Sequence, residues 1–185
     1  FMVKELISTY LEKRSAIKQR LEYFSKIPKE DYFYELCFCI LTPQSNAKQC
    51  DKAVQELIKR NFKEKNIDPH ESIATIRFHN NKAKYMGEMK SKFGEVLKAI
   101  EEIKDSKQLR EWLVKNVKGI GYKEAAHFLR NIGHRDLAIL DRHILKNLKK
   151  YKVIREIPKS LSPKKYLEIE SKMMDFAKRI KIPVS

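Results

Sequence analysis

The sequence predicts an all-α protein, on three observations. Apolar residues recur at three- and four-residue steps through most of the chain, the spacing of one helical face. No stretch of useful length alternates apolar and polar residues as a half-buried strand would. The prolines fall between the periodic segments, where a missing N–H and a fixed φ do no harm.

Residues 3–24 read as a first helix, with Val3, Leu6, Ile7, Tyr10, Leu11, Ile17, Leu21 and Phe24 on one face; Pro28 ends it. A second helix starts near Glu30. Tyr32, Phe33, Leu36, Cys37, Ile40 and Leu41 give it a wide apolar face. It stops at Thr42-Pro43, because the residue before proline is pushed out of the helical region. The polar loop Thr42-Pro43-Gln44-Ser45-Asn46 opens a third helix, capped by Ser45 or Asn46 and striped by Ala53, Val54, Leu57 and Ile58. Pro69 and His70 lie in a linker before a short helix. Residues 77–85 (Arg-Phe-His-Asn-Asn-Lys-Ala-Lys-Tyr) interleave cations, amides and aromatics, which suits either phosphate and base contacts or a solvated helix start. Phe93, Val96, Leu97, Ile100 and Ile103 make the next core helix, and Asp105 or Ser106 caps its successor. Near the end, Ser162-Pro163 is a good cap and first-turn pair for a last helix carrying Tyr166, Leu167, Ile169, Met173, Met174, Phe176 and Ala177.

The chain is organised around Val117-Lys118-Gly119-Ile120-Gly121-Tyr122-Lys123. Leu109, Trp112, Leu113 and Val117 precede it at helical spacing; Ala125, Ala126, Phe128, Leu129 and Ile132 follow it. Two helices joined by Gly-x-Gly leave amides and the positive dipole end at the start of the second helix, an arrangement that suits a phosphate. An ordinary αα-hairpin closed by glycines has the same pattern. Lys123 sits just inside the second helix. Farther on, the apolar run Leu137-Ala138-Ile139-Leu140 leads into Asp141-Arg142-His143.

Gly119-Ile120-Gly121-Tyr122-Lys123 followed by an apolar run and Asp141-Arg142-His143 resembles the helix-hairpin-helix DNA glycosylase superfamily. The fuller string is most similar to its type-2 8-oxoguanine DNA glycosylase/AP lyases. The resemblance implies a two-lobed all-α fold with the active site in the cleft between lobes. One lobe would comprise residues 1–30 and 142–185; the central lobe, 31–141, would carry the helix-hairpin-helix over approximately 106–133. It also implies excision of 8-oxoguanine and nicking of the abasic strand, with Lys123 as nucleophile and Asp141 as the carboxylate beside the sugar. The amides of Gly119, Gly121 and Lys123, aided by Lys118, would grip the DNA backbone, Arg142 would bind DNA, His143 would make a phosphate or helix-start contact, and Gln44 would fill the hole left by the extruded base. A monovalent cation at the hairpin carbonyls, near Lys115, Val117 and Ile120, is a further implication. The three cysteines, Cys37, Cys39 and Cys50, are too few for the four-cysteine iron–sulfur set of the endonuclease III branch.

The residue types fit that chemistry. Breaking an N-glycosidic bond builds positive charge on the sugar. A carboxylate roughly 4 Å away, at an effective dielectric near 20, stabilises it by about 4 kcal/mol. An amine can attack C1′ and form a Schiff base, which acidifies the C2′ proton and permits β-elimination. A free lysine, with a pKa of about 10.4, must be desolvated or crowded by cations to do so; Lys118, Arg142 and the basic background are candidates. The plainer roles are a surface lysine at Lys123 and a helix cap at Asp141.

Composition agrees with a polyanionic partner. Forty Lys and Arg against twenty-four Asp and Glu give +16, spread along the chain. A thermophile-like surface rich in Lys and Glu would be balanced instead. An odd cysteine count suits a reducing cytosol. No apolar run reaches a membrane span and no signal peptide opens the chain, so a cytoplasmic, nucleoid-associated monomer acting on double-stranded DNA is expected. The family reads 8-oxoguanine partly through a C-terminal tryptophan and terminal lysine. This sequence ends Ile182-Pro183-Val184-Ser185, and its one tryptophan is Trp112. A glycosylase for another damaged or mismatched base, or a non-catalytic helix-hairpin-helix DNA-binding module, therefore stands as the alternative.

Overall fold

The computed structural model describes residues 2–184, and every regular element among them is helical. In order these are α1 (Met2–Ser25), a 3-10 turn (Lys29–Asp31), α2 (Tyr32–Leu41), α3 (Ala47–Lys59), α4 (His70–Ile73), α5 (His79–Ser91), α6 (Phe93–Glu102), α7 (Ser106–Asn116), α8 (Tyr122–Asn131), α9 (Arg142–Lys150) and α10 (Pro163–Ile180). Two compact units result, one of residues 27–128 and one of residues 1–26 with 129–185.

The 27–128 unit is built on α2. Phe33, Leu36, Cys37, Cys39, Ile40 and Leu41 are all buried, so the helix is apolar nearly all round, as a helix packed on several sides must be. Each such side chain contributes about 1.5–3 kcal/mol. Phe33 meets the Phe93 ring edge-on at 5.1 Å and the Phe62 ring at 5.8 Å, joining α2 to α6 and to the loop after α3. Burial pushes the Cys37 thiol far above its ordinary value, which makes it inert packing. Asn46 caps α3 by accepting the amides of Lys48 and Gln49, and Asp105 caps α7 by accepting that of Gln108.

In the other unit, α10 holds the segment leading to α9. The buried Glu170 carboxylate accepts the Ala138 amide at 2.9 Å. The Tyr166 hydroxyl donates to the Ala138 carbonyl at 2.5 Å and accepts the Leu140 amide at 3.2 Å. These bonds explain a departure from the expected lobes. Residues 129–141 group with the chain ends and not with the centre, and the first boundary falls at 26/27. Ser162 and Pro163 start α10 as expected. Gly133, at φ +97°, follows α8 where an added Cβ would lie 3.0 Å from the Ser25 backbone, so glycine is required by both strain and space.

Helical spacing overstates burial in three places. Leu11 (59% exposed) and Ile17 (40%) stay on the surface of α1, as do Ile58 on α3 and Leu167 on α10. Residues 11–20 include five charged side chains and several good helix formers, so this part of α1 follows intrinsic propensity and solvation without a buried face.

Candidate functional site

The turn between α7 and α8 is seated on α5. Val117 ends α7, its amide donating to the Leu113 carbonyl at 2.8 Å. Gly119 adopts φ +88° directly over Tyr85: a Cβ there would stand 2.6 Å from the ring. Only glycine meets both demands. Lys118 turns to Glu88 of α5, 2.9 Å away. The hydroxyl of Tyr122 donates to Glu111 at 2.6 Å across the hairpin, with the Arg110 guanidinium 5.3 Å from the Tyr122 ring.

Glu124 closes the start of α8. One of its oxygens accepts the Gly121 amide at 3.1 Å; the other lies 3.2 Å from the Lys123 amine. The Gly121 amide and the Lys118 amine are therefore each partnered by a carboxylate within the protein, the Lys118 ammonium keeping further donors. The charged group in contact with Lys123 is likewise an anion. Crowding of that amine by Lys118 is not what the structure contains, since Lys118 is drawn to Glu88. Through that hydrogen bond Glu88 raises the pKa of Lys118 and Lys118 lowers that of Glu88. Exposed pairs of this kind exchange at small cost. Lys123 is 31% exposed.

Residues 77–85 face two ways. Phe78 takes a left-handed conformation, φ 60°, and is 50% exposed with the Arg77 guanidinium 4.8 Å from its ring. Lys82 and Tyr85 turn inward. Lys82 is buried, and its amine donates to the Leu41 carbonyl (2.6 Å), the Pro43 carbonyl (2.8 Å) and the Ser45 hydroxyl (2.9 Å). Gln44, between the last two acceptors, is exposed and left-handed, φ 54°.

In the unit formed by the chain ends, Asp141 is the N-cap of α9, accepting the Ile144 amide at 2.7 Å. Arg142 and His143 are the first two residues of α9, both exposed. The hairpin thus brings together Lys118, Gly119, Gly121 and Lys123, and the start of α9 brings together Asp141, Arg142 and His143. The sequence reading gives Glu124 and Glu88 no role, and it takes Lys82 and Tyr85 only as part of the 77–85 segment, expected to contact DNA or to start a solvated helix, where the structure turns both inward. Only Glu124 leaves a signal, a carboxylate three residues after the cap position, as in a capping box. Among the described residues no three His, Cys, Asp or Glu side chains gather as a metal set, and no helix is long and apolar enough to cross a membrane.

A family model described as 8-oxoguanine DNA glycosylase matches residues 17–182. An 8-oxoguanine DNA glycosylase/AP lyase of Fusobacterium nucleatum is 44% identical over 192 residues, covering 97% of this chain and 88% of that one. The crystal structure of the Methanocaldococcus jannaschii 8-oxoguanine DNA glycosylase superposes with a TM-score of 0.86 at 35% identity, covering 98% of this chain and 87% of that one. That protein in complex with a 15mer DNA containing 8-oxoguanine gives 0.85 at 35% identity, with 97% and 91% covered.

Proposed function

The chain belongs to the 8-oxoguanine DNA glycosylase family, and from that premise we propose that it excises 8-oxoguanine from double-stranded DNA and nicks the abasic site it creates. It is an N-glycosylase/AP lyase. The observation that carries this reading is Lys123, one residue inside α8, directly after a glycine turn fixed on Tyr85.

The target base is out of reach inside the duplex, so its nucleotide is flipped out and Gln44 fills the gap. The Lys123 ammonium gives up a proton to solvent, and its nitrogen then bonds to C1′ as the glycosidic electron pair leaves with the base, which takes up a proton. Asp141 stabilises the positive charge that develops on the sugar. Opening of the sugar ring leaves a Schiff base between C1′ and Lys123. Loss of the C2′ proton to solvent or a nearby base expels the 3′ phosphate and cuts the strand. Gly119, Gly121 and Lys118 hold the backbone beside the lesion, with Arg142 and His143 on neighbouring phosphates. The carbonyls of Lys115 and Val117, at the negative end of α7, and that of Ile120 in the turn would hold a hard monovalent cation. Bound there, the cation would add positive charge beside a DNA phosphate. The protein acts as a cytoplasmic monomer on nucleoid DNA.

A panel of lesion duplexes tests the reading. Release of 8-oxoguanine with a β-elimination nick is the expected product pattern. Release of only oxidised pyrimidines or mismatched bases would move the substrate. Binding without release would reduce the protein to a DNA-binding module.

A further inference from the structure

We propose that Lys82 is a positioning residue whose buried amine holds the 42–46 loop in the conformation that presents Gln44 to DNA. The inference rests on the glycosylase reading, in which Gln44 enters the duplex.

A lysine only 4% exposed is unusual and persists when its ammonium donors are satisfied. Here three donors meet three acceptors, and all three belong to residues 41–45. Leu41 ends α2, so its carbonyl lies at the negative end of that helix and favours a cation. Pro43 and Ser45 flank Gln44, whose left-handed backbone is one that side chains other than glycine adopt only when the surroundings impose it. The amine therefore grips the loop on both sides of its strained residue.

Packing alone does not call for an amine here. α5 is already anchored by Ala83, Met86 and Met89, and an apolar side chain at 82 would fill the same space without desolvating a charge. Burial lowers the affinity of Lys82 for its proton, with Arg77 adding to that effect and Cys50 and Glu124 opposing it.

The test uses the full chain and two duplexes, one containing 8-oxoguanine and one containing a preformed abasic site. Lys82→Met keeps the side chain's volume and removes its donors. It should slow single-turnover excision of 8-oxoguanine about tenfold or more, the scale of a misplaced contact. Borohydride trapping on the abasic duplex, where no base needs extruding, should fall less than about threefold. Gln44→Ala should slow excision similarly, and the double variant no further, because both changes disable one device. Wild-type excision by Lys82→Met, losses that multiply with those of Gln44→Ala, or an equal loss of trapping would overturn the proposal. If Lys82→Met does not fold, Ser45→Ala removes one acceptor and carries the same comparison: a slowing that does not add to that of Gln44→Ala supports the role, and an unchanged rate overturns it. A wild-type chain that fails to excise 8-oxoguanine would instead sink the parent reading.

Discussion

At Asp141 one carboxylate oxygen caps α9 through the Ile144 amide, yet an ionised carboxylate has about four acceptor sites, so capping does not use it up. The two roles separate by substitution. Asparagine caps as well as aspartate, so Asp141→Asn should melt within about 0.5 kcal/mol of wild type while single-turnover excision falls on the order of a thousandfold. An Asp141→Asn protein that excises normally would leave Asp141 a cap and nothing more. The positions of Lys123 at the start of α8 and Asp141 at the cap of α9 are legible in the sequence, because a glycine turn and an apolar run mark them. Lys82 is legible only as one cation of the 77–85 segment: nothing local shows that its amine is drawn inward by two carbonyls and a hydroxyl 37 to 41 residues away. The Glu124 contact with Lys123 is half legible, since its spacing from Gly121 is that of a cap while its second oxygen's partner is set by rotamer.

The hairpin is the element where glycine chemistry is decisive. At Gly119 any side chain meets both a positive φ and the Tyr85 ring. Gly119→Ala should therefore lower stability by about 1–3 kcal/mol and weaken DNA binding, seen in melting and anisotropy titrations. Gly94, in α6 with open space around it, is the contrast: Gly94→Ala should stabilise by about 0.5–1 kcal/mol with excision unchanged. Equal behaviour of the two variants would refute the seat on Tyr85. Helix spans follow from periodicity because i, i+3 and i+4 spacing is a property of the backbone itself. Burial does not follow so directly: α1 carries the spacing, but its Leu11 and Ile17 are exposed. The placement of residues 129–141 is decided by Tyr166 and Glu170, some thirty residues downstream, a long-range choice that local pattern cannot encode.

Over the whole molecule, a charge of +16 makes the DNA complex a salt-sensitive one. The logarithm of the binding constant should fall linearly with log salt, by about 0.9 for each phosphate neutralised; a flat plot would count against DNA as the ligand. Acid should also destabilise the fold. Burial lowers the His134 pKa below the ordinary 6.5, so its contribution is complete above that value and is lost as pH falls through the folded one. Lysine partners hold Glu88, Glu101 and Glu168 below 4.5, adding losses of the same sign at lower pH. Melting temperatures should thus drop steadily below about pH 6.5, and a rise there would contradict this charge assignment. Net charge and the motif are legible in sequence because neither depends on packing. The central claim, that Lys123 is the nucleophile, is tested most directly by borohydride reduction on an 8-oxoguanine duplex, digestion, and location of the sugar remnant by mass spectrometry. The remnant should lie on the peptide containing Lys123 and be missing from Lys123→Gln; a remnant on another lysine, or brisk excision with no adduct, would contradict it.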